Sequence, residues 1–242
     1  MTIENRKPAK ALKGTTASRT TVRRSSAKSA SAKSGEHVYD TLIVGAGFAG
    51  LGTAIKLREA GVHNVAILER AAEAGGTWRD NQYPGAACDI PSNLYSYSFA
   101  QNPEWSRSFS GSREILGYIH HLVKEFGLER YIRFGKNVQD LKFDEKKGLW
   151  SATTAEGEVF SGRAAVMAQG PLSNASFPDM PGINEYKGHK IHSARWDHSV
   201  ELKGKRVALD EPGSGTLVNA RAILAAYGIK ESDIKPEYIK PN

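Results

Sequence analysis

The chain alternates between short β-branched or aromatic runs and stretches whose apolar positions recur at helical spacing. Tyr39–Val44 predicts a strand, and Gly45-Ala46-Gly47-Phe48-Ala49-Gly50 follows it. Leu51, Ala54 and Ile55 then fall on one helical face, with Gly61 as a stop, and Val65–Leu68 predicts a second strand ending at Glu69. After this an irregular stretch of roughly 35 residues intervenes, and long ordered loops tend to be functional. Ser112 is placed to cap a helix carrying Ile115, Leu116, Ile119, Leu122, Val123 and Phe126, stopped by Gly127. Val138–Phe143, Leu149–Thr154 and Glu158–Phe160 predict a three-strand meander turning at Lys147-Gly148 and Glu156-Gly157. Ala164–Ala168 predicts a further strand that rejoins a parallel sheet and ends at Gly170. The order points to an α/β domain of Rossmann type.

Charge divides the chain. Residues 1–34 hold nine Lys or Arg and one acid, Glu4, so they carry +8, whereas the remainder carries −1. A basic total confined to a tail argues against a nucleic-acid-binding domain, which needs the charge on a folded face. The tail, 1–36, is expected to be disordered, because its Ser, Thr, Ala, Lys and Arg bury little apolar surface. Its composition also fits an organellar transit peptide, although it shows no amphipathic period; no apolar run suits a secretory signal or a membrane span. A cytoplasmic protein is the expectation. The body, at 37–204 with a separate segment at 205–242, has room for one large domain or one domain plus a fragment. A single cysteine, Cys88, excludes an internal disulfide and a Cys-rich zinc site.

The glycines carry candidate chemistry. Gly45 permits a tight turn, Gly47 lets backbone approach a pyrophosphate, and Gly50 lets the helix pack on the strand. The helix N-terminus offers unpaired N–H groups and the positive end of its dipole to phosphates. Glu69 lies 22 residues after Gly47, suited to accepting both hydroxyls of an adenosine ribose. A carboxylate there repels a 2′-phosphate, so FAD or NAD is favoured over NADP as the first nucleotide.

Gly75-Gly76-Thr77-Trp78, Tyr83-Pro84-Gly85, Cys88-Asp89, Pro91-Ser92 and Leu94-Tyr95-Ser96-Tyr97 fill the irregular stretch. Farther on stands Tyr186-x-Gly188-x-x-x-His192-x-x-x-Trp196-Asp197. Together these motifs resemble the flavin-dependent monooxygenases, most closely the type I Baeyer–Villiger class, over about residues 38–206. That class has Phe where this chain has Tyr186. The resemblance implies a glutathione-reductase-like FAD domain, with a parallel sheet and a β-meander. It implies that Gly45, Gly47, Ala49 and Gly50 hold the FAD pyrophosphate, that Glu69 holds the ribose, and that Gly76, Thr77 and Trp78 lie along the flavin side. By the same likeness Asp89 sits near the isoalloxazine and nicotinamide, Tyr95 contacts flavin, and the Val138 backbone meets adenine. His192 and Trp196 would couple an NADP domain to catalysis. The implied activity converts a small ketone to an ester or lactone through a peroxyflavin, with NADPH as reductant.

Plainer roles stand beside these. Asp89 can cap a turn, Trp78 can be core, and Tyr95 and Tyr97 can pack without a ligand. Cys88 reads as a small buried residue. His189, His192, Asp197 and His198 match no compact metal-ligand spacing.

The second half departs from the class. After Leu202–Ala208 a strand is expected at Arg206–Leu209, then a second glycine turn for NADP. This chain instead reads Asp210-Glu211-Pro212-Gly213-Ser214-Gly215-Thr216-Leu217-Val218, with Val218 at the third glycine position and two acids facing the phosphates. An NADP site is therefore not expected here. Residues 207–242 resemble TAXI-type solute receptors of tripartite transporters, in which the Pro212–Thr216 turn would receive a carboxylate. The expectation is a chimera joined near residues 202–208, with an incomplete FAD domain, weak FAD retention and no ketone oxygenation by the chain alone. The alternative is a non-catalytic fragment binding FAD or a small carboxylate.

Overall fold

A computed structural model describes residues 37–179, 181–201, 206–210, 221, 224–225, 228–233 and 235–239. Strand β1 (Val38–Val44) leads through helix α1 (Phe48–Glu59) to β2 (Val65–Leu68), and the two strands pair in parallel with Thr41 opposite Val65. Side chains alternate across both strands, as the pleat requires. Ile43, Val65 and Ile67 join a core with Leu51, Ala54 and Ile55 of α1 and with Ile119 and Val123 of α3 (Ser112–Glu125). Leu42, Ala66 and Leu68 face the other way and pack with Ala152 and Phe160. The central strands are thus covered on both faces, which is why they read as continuous apolar runs. Fully burying each Leu or Ile here stabilises the fold by about 1.5–3 kcal/mol.

The sheet order is β3-β2-β1-β6-β5-β4, with β3 at Ile132–Arg133, β4 at Val138–Asp144, β5 at Leu149–Thr154 and β6 at Val159–Met167. The expected meander strands and turns are present, and Gly148 and Gly157 adopt φ values of 64° and 81°. One expectation fails. The strands expected at Glu158–Phe160 and Ala164–Ala168 are one: β6 is a single strand of nine residues, with Glu158 and Ala168 just outside it. Its first part pairs antiparallel with β5, and the strand pairs in parallel with β1 as far as Met167 opposite Val44. Gly162 lets the strand continue unbroken between these partners, because a Cβ there would stand 2.7 Å from Leu42 Cγ.

A second correction concerns α3. Ser112 is its first helical residue and makes no side-chain cap; Gly111 is the N-cap. The Ser112 N–H instead donates to the Ala86 carbonyl at 2.8 Å and fastens the helix start to the irregular segment. Gly127 ends the helix as expected, at φ 56°. Within the irregular stretch, α2 (Thr77–Asp80) and a single 3₁₀ turn at Ser92–Leu94 are the regular elements.

Farther along, β7 (Arg206–Asp210) pairs in parallel with β8 (Lys235–Ile239) as a separate two-stranded sheet. The expected tail at 1–36 and the Pro212–Thr216 turn lie outside the described residues. Among the described residues no helix is long and apolar enough to cross a membrane.

Candidate functional site

Strands β1, β2 and β6 end at one edge of the sheet, and the segments that follow them border a cleft of about 660 Å³. Open α/β sheets bind ligands at this place, outside the carboxyl ends of their strands. Of the residues singled out above, Gly45, Gly47, Ala49, Glu69, Gly76, Thr77, Trp78, Asp89, Tyr95 and Val138 line the cleft. Gly50 lies behind the turn, and His192 does not line the cleft.

The glycine turn is fixed by contacts that a side chain would destroy. Gly45 has φ 105°, and a Cβ on it would stand 2.7 Å from the Ala168 carbonyl oxygen. A Cβ on Gly50 would stand 1.9 Å from the Gly45 carbonyl oxygen, so α1 and the turn meet backbone to backbone. Gly47 is the N-cap of α1 and supplies no side-chain cap. The first backbone N–H bond of the helix runs from Leu51 to the Gly47 carbonyl, at 3.0 Å. The N–H groups before it are left for a ligand, with the positive end of the helix dipole behind them. A second glycine loop closes on the first: the Gly75 N–H donates to the Ala46 carbonyl at 3.0 Å, and Gly76, at φ 53°, lies against Gly47. An open helix N-terminus beside side-chain-free backbone fits a pyrophosphate.

Glu69 lies at the inner wall of the cleft. It is 3% exposed. Its Oε2 accepts the Ala46 N–H at 2.8 Å, while Oε1 accepts the Ala71 N–H and Arg79 Nη1, each at 2.9 Å. Arg79 also grips Asp80, and Asp80 takes Arg70 Nη2 at 3.1 Å and lies 3.8 Å from Arg195 Nη1. Arg70 in turn donates to the Ser173 carbonyl and to Asn174 Oδ1, drawing the loop after β6 to the cleft. Sequence reasoning missed Arg70, Arg79 and Asp80. Their one signal was adjacency: Arg70 follows Glu69, and Arg79-Asp80 follows the Gly76-Thr77-Trp78 motif.

The opposite end of the cleft is aromatic and more open. Trp78 Nε1 donates to the Tyr95 hydroxyl at 3.0 Å, with the rings edge to face at 5.5 Å. Burial raises the Tyr95 phenol above its ordinary range. The Tyr97 phenol is pushed up the same way, and it donates to the Phe48 carbonyl inside the first turn of α1. Asp89 is exposed at the rim. Cys88 is buried, and that burial raises its thiol, which disfavours the reactive thiolate.

The segment around His192 approaches the cleft from outside. His192 Nδ1 accepts the Ala194 N–H at 3.1 Å, and its ring meets Phe177 edge to face at 5.7 Å. Trp196 stands 6.3 Å from Tyr83, ring to ring. Arg195 and Trp196 thus bring this segment against the 80–83 stretch, while His192 itself meets Phe177 and is not among the lining residues.

Residues 43–111 match the model of an NAD(P)-binding Rossmann-like domain. The chain is 46% identical over 182 residues to a Baeyer–Villiger monooxygenase of Streptomyces coelicolor, covering 75% of this chain and 35% of that protein. It is 40% identical over 175 residues to a Baeyer–Villiger monooxygenase of Pseudomonas aeruginosa, covering 72% of this chain and 33% of the relative. Cyclohexanone monooxygenase from Rhodococcus sp. Phi1, solved bound to NADP+, superposes with a TM-score of 0.71 at 33% identity over 85% of this chain and 38% of that one. The chain spans about a third of the length of the curated relatives it matches. These relatives lend no support to the receptor resemblance read for residues 207–242.

Proposed function

We propose that this chain, whose relatives are Baeyer–Villiger and other flavin monooxygenases, holds FAD and forms the flavin-binding part of an NADPH-using monooxygenase acting on small ketones. The observation that carries the reading is the convergence of the glycine turn, the Gly76-Thr77-Trp78 segment, Glu69 and Asp89 on one cleft. Bound there, FAD supplies the redox chemistry by which O₂ is used to oxygenate a carbonyl compound.

The chain's own residues orient and enclose. The N–H groups at the start of α1 receive the pyrophosphate, and Glu69 takes the adenosine ribose. Val138, whose strand begins where the Lys136 N–H bonds to the Glu69 carbonyl at 2.8 Å, offers its backbone to adenine. Trp78 and Tyr95, locked to each other, wall the ring end and exclude water from one side. Asp89 stands at the rim, placed to meet the reducing nicotinamide. His192 and Trp196 act on the cleft only through the segment that Arg195 and Trp196 press against it.

Titration of the purified chain with FAD, followed by absorbance, tests the reading. A saturable change in the flavin bands, near 380 and 450 nm (roughly, as for any oxidised flavin), is expected. Because the aromatic end of the cleft is open, with Asp89 exposed at its rim, much of the flavin should be lost on desalting. A spectrum that never departs from that of free FAD would overturn the proposal. NADPH- and ketone-dependent lactone formation is not expected of this chain, whose second glycine turn carries Val218 at the third position.

A further inference from the structure

The glycine motif does not contain the residue that grips its carboxylate. We infer that Arg79 is a positioning residue: it occupies one oxygen of Glu69 and so presents the other, Oε2, to a single hydroxyl of an adenosine ribose. The inference rests on the dinucleotide reading of the cleft and adds to it the group that fixes the ribose-binding geometry.

Every nitrogen of the Arg79 guanidinium is held. Nη1 lies 2.9 Å from Glu69 Oε1 and 2.9 Å from the Glu73 carbonyl. Nε and Nη2 lie 3.0 and 2.9 Å from Asp80 Oδ1. The Arg79 and Glu69 side chains are 11% and 4% exposed, so the fork has one orientation and little competition from water. A carboxylate offers about four acceptor positions. On Glu69, Oε1 has two donors, Arg79 and Ala71, and Oε2 has one, Ala46. The remaining position belongs to Oε2. Glu69 therefore takes one ribose hydroxyl rather than the two expected from sequence. Without Arg79 the carboxylate keeps only its two backbone donors, and neither oxygen is assigned to the ligand.

A purely structural ion pair predicts something different. Its loss would weaken every ligand of the cleft alike, whereas loss of a positioning group erases the preference for a hydroxylated ribose. Isothermal titration of the 242-residue chain with ADP and with 2′,3′-dideoxy-ADP separates the two. The unsubstituted chain should prefer ADP by about tenfold, the scale of one hydrogen bond to a charged group. In Arg79→Gln the preference should fall below about twofold, and Arg79→Lys, which keeps the charge without the fork, should recover part of it. Circular dichroism reports whether each variant is folded. If Arg79→Gln is not, Asp80→Asn, which loosens the grip on Arg79, should show the same collapse. A folded variant that binds ADP less tightly yet keeps the tenfold ratio overturns the role of Arg79 alone. An unsubstituted chain that binds neither ADP nor FAD overturns the cofactor reading, and this inference with it.

Discussion

The two ends of the cleft are built by different means. At the end proposed to hold phosphate and ribose, shape comes from backbone: β1, the glycine turn and α1 meet at distances that leave no room for a Cβ, and the Glu69 carboxylate is buried among N–H donors and a guanidinium. At the end proposed to hold the flavin ring, the ring end, shape comes from side chains on irregular segments, with Trp78 bonded to Tyr95 and with Asp89 exposed. Backbone geometry tolerates almost no substitution but needs little support from elsewhere. A wall of side chains tolerates more, and its enclosure depends on what packs against it. The first end should therefore fail abruptly when altered, and the second gradually.

Substitutions in the glycine turn should show the abrupt failure. Gly50→Ala places a Cβ 1.9 Å from the Gly45 carbonyl oxygen, so strand and helix must separate. We expect a loss of about 2–3 kcal/mol, or roughly 5–10 °C in Tm, together with loss of FAD binding. Gly47→Ala is the sharper control. Its Cβ would meet Gly76 Cα at 3.6 Å, an ordinary contact, and its φ of −91° suits any residue. The fold should survive within about 0.5 kcal/mol, while FAD affinity drops by roughly tenfold or more, because the added methyl stands where the pyrophosphate must approach. Thermal melts with and without FAD check both; equal melting losses in the two variants would dissolve the distinction.

This contrast also explains what could be read in the sequence. The placement of Gly45, Gly47, Gly50 and Glu69 was legible because one local unit fixes it, and residues 38–69 contain that unit whole. Likewise Leu149–Thr154 was found to the residue, since turns bound it on both sides. Arg79 and Asp80 were not legible, because Glu69, Arg70 and Arg195 are brought to them through tertiary folding. The continuity of β6 escaped for a related reason: Gly162 looks like a break until Leu42 of a distant strand is seen against it. Ser112 looked like a cap because its residue type fits, yet the Ala86 carbonyl had claimed its backbone. Tyr95 and Tyr97 alternate like a strand, but they lie after a 3₁₀ turn, each bonded to a different element.

At the ring end the expected effects are smaller. Trp78→Phe keeps the aromatic bulk and removes the indole N–H that Tyr95 accepts. The loss should be about 0.5–1.5 kcal/mol, the worth of one partly buried hydrogen bond. Urea unfolding gives this number directly. If FAD affinity fell as far in Trp78→Phe as in Gly47→Ala, the ring end would be as exacting as the phosphate end and the comparison would break.

The smallest effect concerns pH. The irregular segment that carries the ring end is tied to α3 by Glu114, whose carboxylate accepts the Ser106 N–H at 2.7 Å and the Ser106 hydroxyl at 2.9 Å. The backbone bond from Ser106, more than any other cause, lowers the Glu114 carboxyl below its ordinary range. A carboxyl depressed in the folded state binds fewer protons there than in the unfolded chain, so its contribution is complete above the unfolded value. It is lost as pH falls through the folded one. The group is near solvent, and screening keeps the contribution small. Glu114→Gln should accordingly cost a little Tm at pH 7 and nothing below the carboxylate range, so that the melting curves of the two proteins converge on acidification. The Glu69 cluster, buried and backbone-bound, is untouched by this substitution, and the Gly47-dependent step in FAD affinity should persist at every pH at which the chain is folded. Convergence of the melting curves without any change in that step would show the tie between α3 and the irregular segment to be acid-sensitive and the glycine turn, held by backbone contacts, to be independent of it.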